Sequence, residues 1–129
     1  MIMRGTRRLG LAVFAVLLGI LLFAGPGAWA HAIIVTSKPA ANANVAIGPV
    51  DILLQYNSRI DIAHSRVSLV DPAGKVTALK AAAGSAPGSL STQGVTDAPG
   101  KWIIRWQVLS VDGHITRGDI PFLAVTATP

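Results

Sequence analysis

From Lys101 to Ser110 apolar and polar positions alternate, and this alternation most limits what the chain can become. Trp102, Ile104, Trp106 and Val108 occupy every second place, with Lys101, Ile103, Arg105 and Gln107 between them. Successive side chains of a strand point to opposite faces, whereas a helix would spread these four apolar residues around its circumference. The segment is therefore read as a strand with one buried face. Two tryptophans on that face supply a large share of a small core. Such a face must be covered by a second layer.

The rest of the chain offers that layer. In Val50 to Asn57, the residues Val50, Ile52, Leu54 and Tyr56 share one face, and Asp51, Gln55 and Asn57 share the other, with Leu53 as the exception. Ser65 to Val70 repeats the pattern, with Val67 and Leu69 inward. His31 to Ser37, Val76 to Ala82, Ser89 to Thr96 and Asp119 to Thr126 are further strand candidates, the last with Ile120 and Phe122 inward. Lys38 to Pro49 reads as a loop. Asp71-Pro72-Ala73-Gly74 and Ala98-Pro99-Gly100 read as turns, in which proline pre-sets φ and glycine tolerates positive φ. No segment after residue 30 has helical periodicity. About seven short strands separated by turn signals predict an all-β sandwich, with a small barrel as the open alternative.

The first 30 residues follow different rules. Arg4, Arg7 and Arg8 precede an apolar run from Leu9 to Phe23, then Gly25-Pro26-Gly27, then Ala28-Trp29-Ala30. That order is expected of a secretory signal peptide cut after Ala30. The apolar run has 15 residues, short of the ~20 that a spanning helix needs. No stable membrane insertion is expected after the cut. The organisation read from the sequence is a signal peptide at 1–30 and one domain at 31–129.

Removing the leader changes the chemistry available. Three of the eleven basic residues leave with it and all six acids stay, so the net charge falls from +5 to about +2. No basic cluster remains, and nucleic acid is not an expected partner. The chain has no cysteine, which excludes disulfides, zinc–thiolate sites, thiol catalysis and thiolate copper centres. Both methionines, Met1 and Met3, belong to the leader, so no soft thioether site for Cu(I) can form. There is no glutamate, no Gly-x-Ser-x-Gly and no phosphate-cradling glycine loop.

Three histidines, six aspartates and a new amino terminus remain to bind a metal. If the mature chain begins at His31, its α-amine and imidazole Nδ1 can chelate one ion together. Asp112 and His114 follow the strongest strand as an Asp-x-His pair. Alternate residues of an extended segment point the same way, and Gly113 between them lets the backbone turn. His31, Asp112 and His114 then make a tetragonal set of nitrogen and oxygen donors, which favours Cu(II). Amine and imidazole must both lose a proton to bind, so affinity is expected to fall below neutral pH. His64, in Asp61-Ile62-Ala63-His64, is read as a surface loop residue outside the site. Asp51, Asp61, Asp71, Asp97 and Asp119 are read as turn residues or solvent-face charges.

His31-Ala32 followed by Ser37-Lys38-Pro39-Ala40-Ala41-Asn42 resembles the opening of mature CopC-type copper resistance proteins. Trp106 with Ser110-Val111-Asp112-Gly113-His114 resembles their Trp-x-x-x-Ser-x-Asp-x-His motif, and Asp71-Pro72-Ala73-Gly74-Lys75 resembles the turn that lies between. The resemblance spans residues 31–126. It implies a Greek-key β-barrel or immunoglobulin-like sandwich, and a periplasmic, non-enzymatic carrier or buffer in copper resistance or homeostasis. One Cu(II) ion per mature chain would be braced by His31, with a third nitrogen from His114 and an oxygen from Asp112. A CopD-type inner-membrane protein would receive the copper. Two departures stand out. Asn57-Ser58 replaces an acid found in some members, and Ile115 replaces the proline after the histidine. Arg117 is expected to meet Asp119 or Asp112. Two other readings stay open at this point: a metal-free immunoglobulin-like interaction module, and a copper-dependent oxidative enzyme. Against the enzyme, Asp112 stands where oxygen would bind, and the short chain offers no flat aromatic surface for a polysaccharide.

Overall fold

The computed structural model describes residues 10, 12–18 and 31–127. The expected signal peptide and its cut after Ala30 lie outside the described residues, apart from a helical stretch at 12–18. No helix among the described residues is long and apolar enough to cross a membrane.

Among the described residues nine strands run in the order β1 (Ile34–Lys38), β2 (Asn44–Ala46), β3 (Gly48–Tyr56), β4 (Ile60–Val70), β5 (Val76–Leu79), β6 (Ala82–Ala83), β7 (Ser89–Thr96), β8 (Gly100–Ser110) and β9 (Ile115–Val125). They form a four-stranded sheet, β1-β3-β7-β6, and a five-stranded sheet, β2-β9-β8-β4-β5. Each sheet keeps its own two edges, so the barrel alternative fails and the sandwich stands. The count exceeds seven because of two very short strands. One is β2, in the segment read as a loop, which pairs in parallel with the end of β9. The other is β6, which pairs with Ser91 and Leu90 of β7.

The alternation along β3 and β8 fills the space between the sheets. Val50, Ile52, Leu54 and Tyr56 of β3 are buried, and so are Trp102, Ile104, Trp106 and Val108 of β8. Val67, Leu69, Leu90, Ile120 and Phe122 complete the layer. Truncating one of these large aliphatic side chains to alanine costs roughly 2–5 kcal/mol. Among the described residues the core runs from Ala32 to Ala124.

Two strands start earlier than the sequence pattern predicts. β9 begins at Ile115 rather than Asp119, because Thr116, Arg117 and Gly118 hide the alternation. Gly118 lies opposite Trp106 in the ladder. A Cβ there would come within 2.5 Å of the indole, so the missing side chain makes room for the tryptophan. β4 begins at Ile60, ahead of the expected Ser65, and its register with β8 shifts between Asp61 and Arg66. Four residues bulge out there against one on β8. Ser65 closes the gap: its hydroxyl donates to the Asp61 carbonyl at 2.6 Å and accepts from the Leu109 N–H at 3.2 Å. The bulge breaks period two, which is why this half of β4 reads as a loop.

Candidate metal centre

The segment that begins at His31 is tied down on three sides. Ala32 is 1% exposed and packs in the core, which fixes the residue next to His31. The Thr116 hydroxyl of β9 donates to the Ala32 carbonyl at 2.8 Å. Ile33 is bracketed by Asn57, whose Oδ1 accepts the Ile33 N–H at 2.8 Å and whose own N–H donates to the Ile33 carbonyl at 3.0 Å. Asn57 therefore clamps the segment that follows His31. Neither Asn57 nor Thr116 stood out in the sequence, since an isolated polar residue at a strand end gives no sign of its partner.

The second part of the site is the β8–β9 connection. The Ser110 N–H donates to the His114 carbonyl, and the Gly113 N–H donates to the Ser110 carbonyl, each at 2.9 Å. Gly113 has a φ of 90°, a conformation that glycine adopts without steric cost. The turn directs Asp112 and His114 toward each other. Asp112 Oδ1 accepts the His114 N–H at 3.3 Å, and Oδ2 lies 2.9 Å from His114 Nδ1. The Ser110 hydroxyl donates to Asp112 Oδ1. That bond, with the His114 ring and backbone N–H behind it, holds the Asp112 carboxyl down to about 2. The His114 side chain is 57% exposed.

The two parts meet at the histidines. The rings of His31 and His114 lie edge to face, with centroids 4.7 Å apart and planes at 72°. All three sequence-predicted ligands therefore belong to one end of the sandwich. Among the described residues no three His, Cys, Asp or Glu side chains are gathered closely enough to hold an ion alone. The expected donor set differs from such a cluster by including a main-chain amine.

His64 falls elsewhere. It belongs to the bulge of β4, not to a loop, and its side chain is 71% exposed. Asp61 reaches it as Asp112 reaches His114, with Oδ2 2.9 Å from Nδ1 and Oδ1 3.3 Å from the backbone N. Asp61 is thus a histidine partner rather than a plain turn residue. Arg117 meets neither expected acid. Its Nε donates to Gln107 at 2.7 Å, while Asp119 takes two bonds of 3.0 Å from Arg105, the residue opposite it in the ladder. Asp71 is the turn residue expected, its Oδ1 accepting from the Ala73 and Lys75 N–H groups.

Fold and site together define a β-sandwich domain that brings His31, ahead of β1, and His114, in the β8–β9 turn, to a common end. The sequence model of the CopC domain matches residues 34–125, and the chain belongs to that family. Asp112 and His114 lie inside the match and His31 lies just ahead of it. Protein YobA of Escherichia coli K12 is 31% identical over 100 residues, spanning 75% of this chain and 81% of its own. The crystal structure of CopC from Methylosinus trichosporium OB3b superposes with a TM-score of 0.70 at 28% identity, over 77% of this chain and 98% of that one. PcoC of Escherichia coli, described as a methionine-rich copper resistance protein, shares the fold with a TM-score of 0.61 at 23% identity, over 74% of this chain and 100% of its own.

Proposed function

We propose that the mature chain binds one Cu(II) ion and acts as a periplasmic copper carrier or buffer in copper resistance or homeostasis. The observation that carries this reading is the approach of His31 to His114, 4.7 Å between ring centroids. In this reading the α-amine and Nδ1 of His31 form a chelate ring, one imidazole nitrogen of His114 adds the third nitrogen, and the Asp112 carboxylate turns from His114 Nδ1, now 2.9 Å away, to supply the oxygen. Nitrogen and carboxylate donors in a tetragonal set suit Cu(II), which also tops the divalent affinity order.

Membership of the CopC family and the copper resistance role of PcoC support copper as the cargo. PcoC is described as methionine-rich, whereas this chain has no methionine after Met3. A Cu(II)-only protein is therefore proposed. The signal-like leader supports export, and a CopD-type inner-membrane protein is the proposed recipient. The test is a Cu(II) titration of the protein beginning at His31, followed by electron paramagnetic resonance. The expected result is one tightly bound equivalent with an axial spectrum and splitting from several nitrogens. Copper that remains with a competing chelator at equimolar protein would overturn the proposal.

A further inference from the structure

The outer face of β9, β8 and β4 carries arginines that the metal centre does not use. Register sets Arg66, Gln107 and Arg117 side by side across the three strands. With neighbouring strands ~4.8 Å apart, the backbones of Arg66 and Arg117 are roughly 10 Å apart. Arg105 and Asp119 form the next row and neutralise each other. Arg117 bonds Gln107 and no carboxylate, and Arg66 makes no ion pair among the described residues. Two guanidinium charges are left uncompensated, and these side chains line one open cleft.

Toward the metal centre the same face turns apolar. Ile115 lies two residues before Arg117, on the same side of β9, and is 53% exposed; Val111 in the adjoining turn is 69% exposed. We propose that this face is a docking surface for a protein partner bearing an acidic segment. The apolar end beside His114 takes the partner's apolar side chains, and Arg66 and Arg117 take its carboxylates. Guanidinium groups bind carboxylates through paired, directional hydrogen bonds. A small anion would engage the arginines and leave Ile115, two residues from Arg117 on the same strand, bare, so this apolar neighbour points to a protein. The inference needs no copper, and its failure would leave the metal reading untouched.

The test uses the protein beginning at His31, isotopically labelled and titrated with a synthetic peptide of alternating aspartate and leucine. The controls are the asparagine–leucine counterpart and citrate. Saturable amide shifts are expected at Arg66, Gln107 and Arg117, weakening as salt is added and absent with the asparagine peptide. Arg66→Ser with Arg117→Ser should weaken peptide binding at least tenfold and leave Cu(II) affinity unchanged. Arg66→Gln, at an exposed position, gives a second variant should the double variant not fold, with a smaller loss expected. Equal shifts around Lys38 and Lys80, which line a separate cleft with Asp51 and Gln93, would show diffuse attraction and overturn the proposal. Citrate binding as tightly as the peptide would mark a small-anion site and also overturn it.

Discussion

The protein builds the same aspartate–histidine pair twice, and only one copy stands against a third histidine. In both pairs Oδ2 lies 2.9 Å from Nδ1 and Oδ1 lies 3.3 Å from the histidine N. The difference is in what stands around them. Asp112 also takes a hydrogen bond from Ser110, and His114 faces His31 edge to face. Asp61 has its carboxyl lowered chiefly by His64 itself, and His64 is 71% exposed. A local sequence thus suffices to make the pair. Tertiary contacts then bring His31 against one of the two.

That comparison can be broken or sharpened by four substitutions, taken from the largest expected effect to the smallest. His114→Ala should lower Cu(II) affinity by more than the ~10–100-fold that loss of a supporting residue costs, measured by competition with a chelator of known strength. A loss equal to that of His64→Ala would erase the distinction between the pairs. Asn57→Ala removes the acceptor of the Ile33 N–H and loosens the lead to His31. A stability loss of about 0.5–1.5 kcal/mol is expected in denaturant, with an affinity loss inside that ~10–100-fold range. Glycine-like loosening at an unrelated strand end should reproduce the first effect and not the second.

Ser110→Ala tests the electrostatics of the turn. Asp112 titrates near 2 in the folded protein, below its unfolded value. Its contribution to stability is therefore present above the ordinary carboxylate range and is lost as pH falls through about 2. Without the Ser110 hydroxyl the Asp112 carboxyl should titrate at higher pH, read directly from its carbon resonance by NMR. No movement of that resonance would mean that His114 alone sets the carboxylate. His64→Ala should change Cu(II) affinity by no more than about twofold, within the small range expected of exposed substitutions away from a site.

Most of the sandwich was legible because alternation is clean where one face is buried and the other wet. β3 and β8 follow it nearly end to end, and each lies inside a sheet, whereas β7 shows it only weakly because Thr92, Gly94 and Thr96 take most of its inward places and Val95 faces out. The early halves of β4 and β9 were not legible. A bulge plugged by Ser65 resets the phase of one, and Gly118 stands where an inward side chain would have marked the other. β2 is three residues long and pairs in parallel, so it carries almost no periodic signal. Whether the sheets close into a barrel depends on edge pairing between distant segments, which local pattern does not encode.

The candidate site divides in the same way. Asp112 and His114 are neighbours in sequence and could be read as a pair. His31 was singled out by the cut-site chemistry. Asn57 and Thr116 lie 24 and 84 positions from their partners, a distance over which a single sequence shows no coupling. The pairing of Arg105 with Asp119 could have been found from a two-strand register of β8 and β9, in which they face each other.

The central claim is that the amine of His31 is a ligand. Its most direct measurement is a competitive Cu(II) titration of two forms of the protein, one beginning at His31 and one with a single alanine added before it. The added residue moves the amine and turns the His31 nitrogen into an amide, while both clamps on Ala32 and Ile33 can persist. The account predicts tight binding of one Cu(II) by the first form and far weaker binding by the second. Equal affinity for the two forms would contradict it and place the ion away from the chain start.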